Sequence, residues 1–425
     1  MYFHNPLYTL CILLCAIGHT LARSIPSWYL KRDGPLLPSQ DPFYTPSNTS
    51  WNVAEPGTIL DSRNVTIGTA EGTPLPLEAA YQLLYRTTDA LGHPTYAVTT
   101  VMIPVHASLD RLVSYQTAYD SPLIDCSPSY GLQHGASSHA NEPMMELSLM
   151  AKNILSEGIP ISMPDYEGVQ AAYVVGTQAG YAVLDSLRAV SQSTNITGIP
   201  ANATITLYGY SGGGLAAEWA SELHASYAPD VQIAAAALGG LSVNLTEGFF
   251  TGDTSSWAGL IAGGLVGLGN AYPALAEYID QHLKPEYKEK FYLPRQECFS
   301  GATDPTYGYV PKLAGQNIST FFDNGFGFIS EFKELIENNA IMGRHGIPGF
   351  PVFVFRGTDD DVAGQMGETH DLVREFCSAG ASIQFAEIAG ETHLSALAKG
   401  YPAARQFLLD AFEGRVPSRC TNSTI

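Results

Sequence analysis

The stretch Thr204-Ile205-Thr206-Leu207-Tyr208-Gly209-Tyr210-Ser211-Gly212-Gly213-Gly214-Leu215 changes character partway along its length. Residues 204–208 are β-branched, apolar and aromatic, the composition of a buried strand. Residues 215–227 are rich in Ala and read as a helix. Between them stands Gly-x-Ser-x-Gly, residues Gly209 to Gly213. With 41 glycines in the chain a chance match is not rare, and a plain Gly-rich turn is the bland reading. The placement argues for more. A strained strand-to-helix turn lifts the Ser211 hydroxyl above the carboxyl edge of a sheet. In this elbow, Gly209-Tyr210-Ser211-Gly212-Gly213, the flanking glycines let the backbone pass closely, and the helix N-terminus favours negative charge nearby.

Outward from this turn the chain alternates between strand and helix patterns. Strand-like runs fall at 82–86, 96–103, 112–115, 159–163, 351–355 and 383–388. Helical spacing appears at 142–156, with Gly158 as its stop, and at 177–190, 368–378 and 395–412. Such alternation specifies an α/β fold, with a mostly parallel central sheet covered by helices on both faces. It breaks down between 241 and about 330. There a Gly-rich run, Ala262-Gly263-Gly264-Leu265-Val266-Gly267-Leu268-Gly269, precedes a helix at 275–282, and the segment reads as an insertion. Residues 33–62, rich in Pro, Ser and Asn, read as an extended arm.

A serine at its ordinary pKa needs a base, and the base needs an orienting acid. In α/β-hydrolases these follow the nucleophile in the order acid, then His. The strand at 352–355 runs into Arg356-Gly357-Thr358-Asp359-Asp360-Asp361. Gly-x-x-Asp spacing selects Asp360 and leaves Asp359 and Asp361 as solvated neighbours. His393 follows the last strand and opens the last helix, whereas His370 falls inside a helix and reads as a surface residue. The oxyanion of acyl transfer needs two donors. The Gly212 N–H is one. Asp120, after an early strand, sits where the second is required, although alone it is equally a turn-capping aspartate.

The bulk properties limit the partners. The chain has 425 residues with 45% hydrophobic and 15% charged content, enough for a large core. Only Arg23, Lys31 and Arg32 are charged in the first 32 residues, so the remainder carries 18 basic against 41 acidic residues, a net charge of about −23. Nucleic acid and anionic membranes are repelled by such a surface, which suits solubility in mildly acidic medium. Residues 7–17 form an apolar run too short to anchor in a bilayer, and 1–22 read as a secretory signal ending at Thr20-Leu21-Ala22. Residues 23–32 read as a propeptide closed by Lys31-Arg32, leaving 33–425 as the catalytic domain with a lid at about 241–330. No later apolar stretch is long enough to serve as a membrane anchor.

Cys11 and Cys15 leave with the signal. Cys126, Cys298, Cys377 and Cys420 remain, and sequence alone permits three pairings. None forms a CxxC pair, so no metal site is indicated. Sequons at Asn48, Asn64, Asn195, Asn202, Asn244, Asn317 and Asn422 fit a glycosylated extracellular protein.

Several strings together mark a resemblance. They are Asp41-Pro42-Phe43-Tyr44, Tyr85-Arg86-Thr87-Thr88, Ser114-Tyr115-Gln116 with Tyr119-Asp120-Ser121, and Asp125-Cys126-Ser127-Pro128-Ser129-Tyr130. Asp165-Tyr166-Glu167-Gly168, the Ser211 turn and His393-Leu394 complete the set. The chain resembles the fungal secretory lipases of the Candida antarctica lipase A type over nearly all of its mature length. The resemblance implies an α/β-hydrolase core, a helical lid, a Ser211–Asp360–His393 triad, and Asp120 with Gly212 as the oxyanion hole. It implies disulfides Cys126–Cys298 and Cys377–Cys420. Members like the namesake carry a C-terminal flap beyond the last cysteine, and here five residues follow Cys420, so a more open entrance is expected.

The expected function is a secreted, monomeric lipase-type ester hydrolase acting on acylglycerols, with the 258–269 run as acyl-binding surface or as buried lid core. An esterase that deacylates small secondary-metabolite esters of the trichothecene type is the alternative. A serine peptidase or a non-catalytic binding protein fits less well, since candidates for all three triad roles are present. Such a triad transfers acyl groups to water without a cofactor.

Overall fold

Residues 34–299 and 306–425 are described by a computed structural model. The expected signal with Cys11 and Cys15, and the Lys31-Arg32 processing site, lie outside them. The expected arm at 33–62 is not simply extended. Its described part winds through the 3₁₀ turns Pro38–Gln40, Pro42–Tyr44 and Trp51–Val53 before entering a strand, β1 (Ile59–Asn64).

The other strands are β2 (Leu77–Thr88), β3 (Pro94–Pro104), β4 (Arg111–Gln116), β5 (Ile161–Pro164) and β6 (Thr204–Tyr210). They are followed by β7 (Ile233–Gly239), β8 (Val352–Gly357), β9 (Ile383–Ile388) and β10 (Thr421–Thr424). The sheet runs β1-β2-β3-β5-β4-β6-β7-β8-β9-β10. The first strands, up to the β3–β5 pair, are antiparallel, and every pairing from β5 to β10 is parallel. β10, formed by the residues after Cys420, was not expected.

Alternation along the strands sorts side chains between two layers. In β8, Val352 and Val354 join one apolar cluster and Phe353 and Phe355 the other. In β6, Ile205 and Leu207 take the first face and Tyr208 and Tyr210 the second. The first face is covered by the helices Gly176–Gln192 and Gly212–Tyr227, the second by the helical segment Glu142 to Ser156 and by His393–Phe412. A π-helical turn, Leu147–Ala151, interrupts the 142–156 segment.

No strand occurs between β7 and β8 among the described residues, and the chain from 240 to 351, which includes the 241–330 stretch, connects them through helices. It holds its own apolar cluster, in which Phe249, Leu265, Tyr309 and Phe328 are buried. The Gly-rich run, read from sequence without a helix, is one: Ala258–Ala271. Gly259, Gly263 and Gly267 recur every fourth residue and so share a face. A Cβ there would stand 2.5 Å from Val310 Cα, 2.5 Å from the Tyr309 hydroxyl and 2.4 Å from the Tyr173 carbonyl. Close packing thus outweighs the helix-weakening effect of glycine, about 1 kcal/mol per residue.

Two disulfides brace the fold. Cys126–Cys298 ties the segment after β4 to the insertion, and Cys377–Cys420 ties the helix Met366–Ser378 to the start of β10.

Candidate active site

The sheet order reverses at β4, which lies between β5 and β6. Loops at the carboxyl ends of the strands diverge there and leave a crevice, the usual ligand position in open α/β sheets. The segments after β4, β6, β8 and β9 carry Asp120, Ser211, Asp360 and His393 respectively.

Ser211 sits between β6 and the helix Gly212–Tyr227 with φ 55° and ψ −122°, left-handed backbone that a non-glycine residue rarely adopts. Its N–H donates to Gly239 O at 3.0 Å, and its carbonyl accepts from Leu215 N at 2.8 Å. The turn needs glycine on both sides. A Cβ on Gly209 would come 2.0 Å from Gly213 O, and one on Gly213 would come 2.0 Å from Gln116 O. Neither could be accommodated without moving backbone.

His393 is the first residue of its helix, behind an N-terminal capping box built by Thr392 and Ser395. Its Nε2 lies 2.8 Å from Ser211 Oγ and its Nδ1 lies 2.9 Å from Asp360 Oδ2. Asp360 Oδ1 accepts from the N–H of Val362 at 3.0 Å and of Ala363 at 2.9 Å. Burial acts to raise the Asp360 pKa, but the His393 hydrogen bond and charge, with these two N–H groups, hold it below the usual value. Arg356, 1% exposed, stands 3.7 Å from Asp360 and donates to the carbonyls of Gln365 and Gly364 and to Thr369 Oγ1. His370 is remote from this relay, facing Glu387 at 3.5 Å.

Asp359 is exposed, and its N–H bonds Glu391 O at 3.1 Å. Asp361, expected as merely solvated, does more. It accepts from His393 N at 3.3 Å and from the Trp257 indole at 3.1 Å, joining the Trp257 segment to His393. Tyr210 adds a second brace, its hydroxyl donating to His393 O at 2.6 Å.

Asp120 is 5% exposed and adopts φ 41°, again left-handed. Its Oδ1 is buried without a hydrogen-bond partner. A Cβ added to Gly212 would lie 1.8 Å from that oxygen, so the carboxyl group rests against the first residue of the helix Gly212–Tyr227. Burial, then the charge of Glu142, push its pKa up to about 7 against the pull of its own N–H. A cavity of about 280 Å³ opens beside Asp120, Ser211 and Gly212, walled by Leu215, Phe249, Leu260, Ile261 and Leu268. The helix Ala258–Ala271 is thus both buried packing and cavity wall.

Six sequon asparagines, Asn48, Asn64, Asn195, Asn202, Asn317 and Asn422, are exposed. Asn244 differs: it is half-buried, caps the helix Leu245–Gly252 by accepting from Thr246 N at 3.0 Å, and lines the cavity. Among the described residues no cluster of His, Cys, Asp and Glu is arranged to hold a metal, and no helix is long and apolar enough to cross a membrane.

The residues that sequence reading missed are Trp257, Tyr210 as a brace, Arg356 and Tyr309, whose hydroxyl donates to Asp120 O. Tyr309 lies 189 positions from its partner, and nothing local signals the contact.

A family model for secretory lipases matches residues 132–419. Lipase A of Arthroderma benhamiae is 33% identical over 406 residues, covering 93% of this chain and 84% of the relative. A trichothecene C-3 esterase of Fusarium sporotrichioides is 35% identical over 404 residues, covering 90% and 85%. The closed-state crystal structure of Candida antarctica lipase A superposes with a TM-score of 0.79 at 26% identity, covering 90% of this chain and 88% of that one. A rice cell wall degrading esterase from Xanthomonas oryzae shares the fold, at 16% identity and a TM-score of 0.61. The chain belongs to the secretory lipase family, has the α/β-hydrolase fold, and is a carboxylic-ester hydrolase.

Proposed function

We propose that this protein cleaves acyl esters, acylglycerols foremost, with Ser211 as nucleophile, His393 as base and Asp360 as orienting acid. The observation that carries this is the unbroken relay from Asp360 through His393 to Ser211, at 2.9 and 2.8 Å, ending at an apolar cavity. Ser211 Oγ attacks the ester carbonyl carbon as His393 Nε2 takes its proton. The carbonyl π pair moves onto oxygen, which faces the Gly212 N–H and the Asp120 carboxyl. Collapse expels the alkoxide, protonated by His393, and leaves an acyl-serine. Water then repeats the sequence and releases the acid.

An ionised Asp120 would repel the oxyanion. Neutral, it donates an O–H to it, and burial supplies that state. The same group therefore limits activity on the alkaline side.

The leucine- and phenylalanine-lined cavity suits an acyl chain, and the helix Leu245–Gly252 over it serves as part of a lid. We place the protein outside the cell as a monomer, exported by its N-terminal signal and glycosylated at exposed sequons. A second reading, removal of short acyl groups from a metabolite, is favoured by the modest cavity, at the small end of drug-sized pockets. It is favoured too by the similarity to the trichothecene C-3 esterase.

The test is labelling with a long-chain phosphonate, followed by hydrolysis of p-nitrophenyl esters from acetyl to palmitoyl across their aggregation threshold. Label on Ser211, with rates that rise for long chains above the threshold, is expected. Label elsewhere would overturn the nucleophile, and activity confined to acetyl esters would select the second reading.

A further inference from the structure

Asp120 holds an unfavourable backbone conformation, so something must keep it there. Its loop is bonded from two sides. Toward the sheet, Tyr166 Oη donates to Thr117 O at 2.7 Å and Glu146 accepts from Ala118 N at 2.6 Å. Toward the insertion, Phe299 N donates to Ser121 Oγ at 2.9 Å and the Tyr309 hydroxyl donates to Asp120 O. The phenol thus grips the peptide whose orientation sets where the Asp120 side chain points.

The grip is built into the packing. Tyr309 is fully buried, its N–H donates to Cys298 O at 3.2 Å, and Cys298 is disulfide-bonded to Cys126 just beyond Asp120. Loop, disulfide, backbone bond and phenol form one closed circuit. The hydroxyl reaches its place because residue 263 is glycine, where a Cβ would lie 2.5 Å from the Tyr309 oxygen. Burial above all keeps the phenol protonated and hence a donor.

We propose that Tyr309 is a positioning residue of the ester-hydrolase reaction, holding the Asp120 carbonyl so that the carboxyl group stays over Gly212, where the oxyanion forms. This rests on the oxyanion role given to Asp120 above. Without the hydroxyl the loop relaxes toward commoner backbone angles and the acid group drifts from the developing charge. Substrate binding in the cavity is untouched.

The test uses the full chain with both disulfides intact. Tyr309→Phe keeps the ring and removes the bond. A fall in kcat of about ten- to a hundredfold is expected, milder than outright loss of a donor, with KM changing by less than about threefold. Affinity for a trifluoromethyl ketone, whose adduct occupies the oxyanion hole, falls with kcat, while affinity for the product carboxylic acid is unchanged. Asp120→Ala combined with Tyr309→Phe should be no slower than Asp120→Ala alone, because the phenol acts through Asp120. Should Tyr309→Phe not fold, Gly263→Ala pushes a methyl against the same hydroxyl and should give the same selective loss of kcat.

Full kcat in a folded Tyr309→Phe, or a double variant slower by the product of the two single losses, would overturn the proposal. Full kcat in Asp120→Ala would instead overturn the oxyanion role itself. The two failures are therefore distinguishable.

Discussion

Asp120 and Asp360 flank Ser211, are both withdrawn from water, and are held in opposite ways. Asp360 receives the His393 Nδ1–H and two backbone N–H groups, and a guanidinium stands behind it. Its carboxylate is favoured despite burial. One oxygen of Asp120 has no hydrogen-bond partner, and other carboxyl groups, Glu142, Glu146 and Glu167, gather round it. Its proton is retained up to about pH 7. In the mechanism proposed above, one side chain type thus supplies an anion where an imidazolium forms and a neutral acid where an oxyanion forms. The charge state is set by the partners, and the partners are set by the loop.

Removing the anion should do the most damage. Asp360→Asn is expected to lower kcat by about 10⁴, since His393 loses both its orientation and its counter-charge. Asp359→Asn should leave kcat unchanged, and equal mild losses at Asp359, Asp360 and Asp361 would break the distinction drawn here. Asp120→Ala removes only a donor and should cost about 10²–10³ in kcat; a loss matching that of Asp360→Asn would contradict the division of labour.

The smallest effect falls on stability. Asp120 and Asp165 are pushed up to about 7 and Glu146 to about 8, in each case by burial first. The folded chain therefore keeps protons that the unfolded chain releases near pH 4, and stability declines as pH rises from there through 7–8. Calorimetry should find Tm higher at pH 5 than at pH 8, by on the order of 5 °C. A Tm that climbs toward pH 8 would show these groups to be ionised. The direction agrees with the acidic surface, which itself suits a mildly acidic medium.

How much of this the chain displays in one dimension depends on distance along it. The Ser211 turn is local: strand, glycines, serine and helix are contiguous, and the structure places them accordingly. His393 and Asp360 were located by order and spacing, 33 residues apart. The edge strands were not legible. β1 has the mixed burial of a one-sided edge and β10 is exposed throughout, so neither shows an apolar alternation. The helix Ala258–Ala271 was hidden by its glycines, whose purpose appears only against Val310, Tyr309 and Tyr173. Asp120 looked like an ordinary turn residue until family resemblance singled it out, because its contact with Gly212 crosses the fold. Trp257 reaches Asp361 across 104 positions, again without a local signature.

The contrast between the two aspartates is tested most directly by the pH dependence of kcat/KM for a short p-nitrophenyl ester. Wild type and Asp120→Asn should be compared from pH 5 to 9. An amide donates to the oxyanion but does not titrate in this range. Activity of the wild type should fall above an apparent pKa near 7, set by Asp120, while Asp120→Asn should retain the acid limb and lose that alkaline decline. An alkaline limb that persists unchanged in Asp120→Asn would contradict the account.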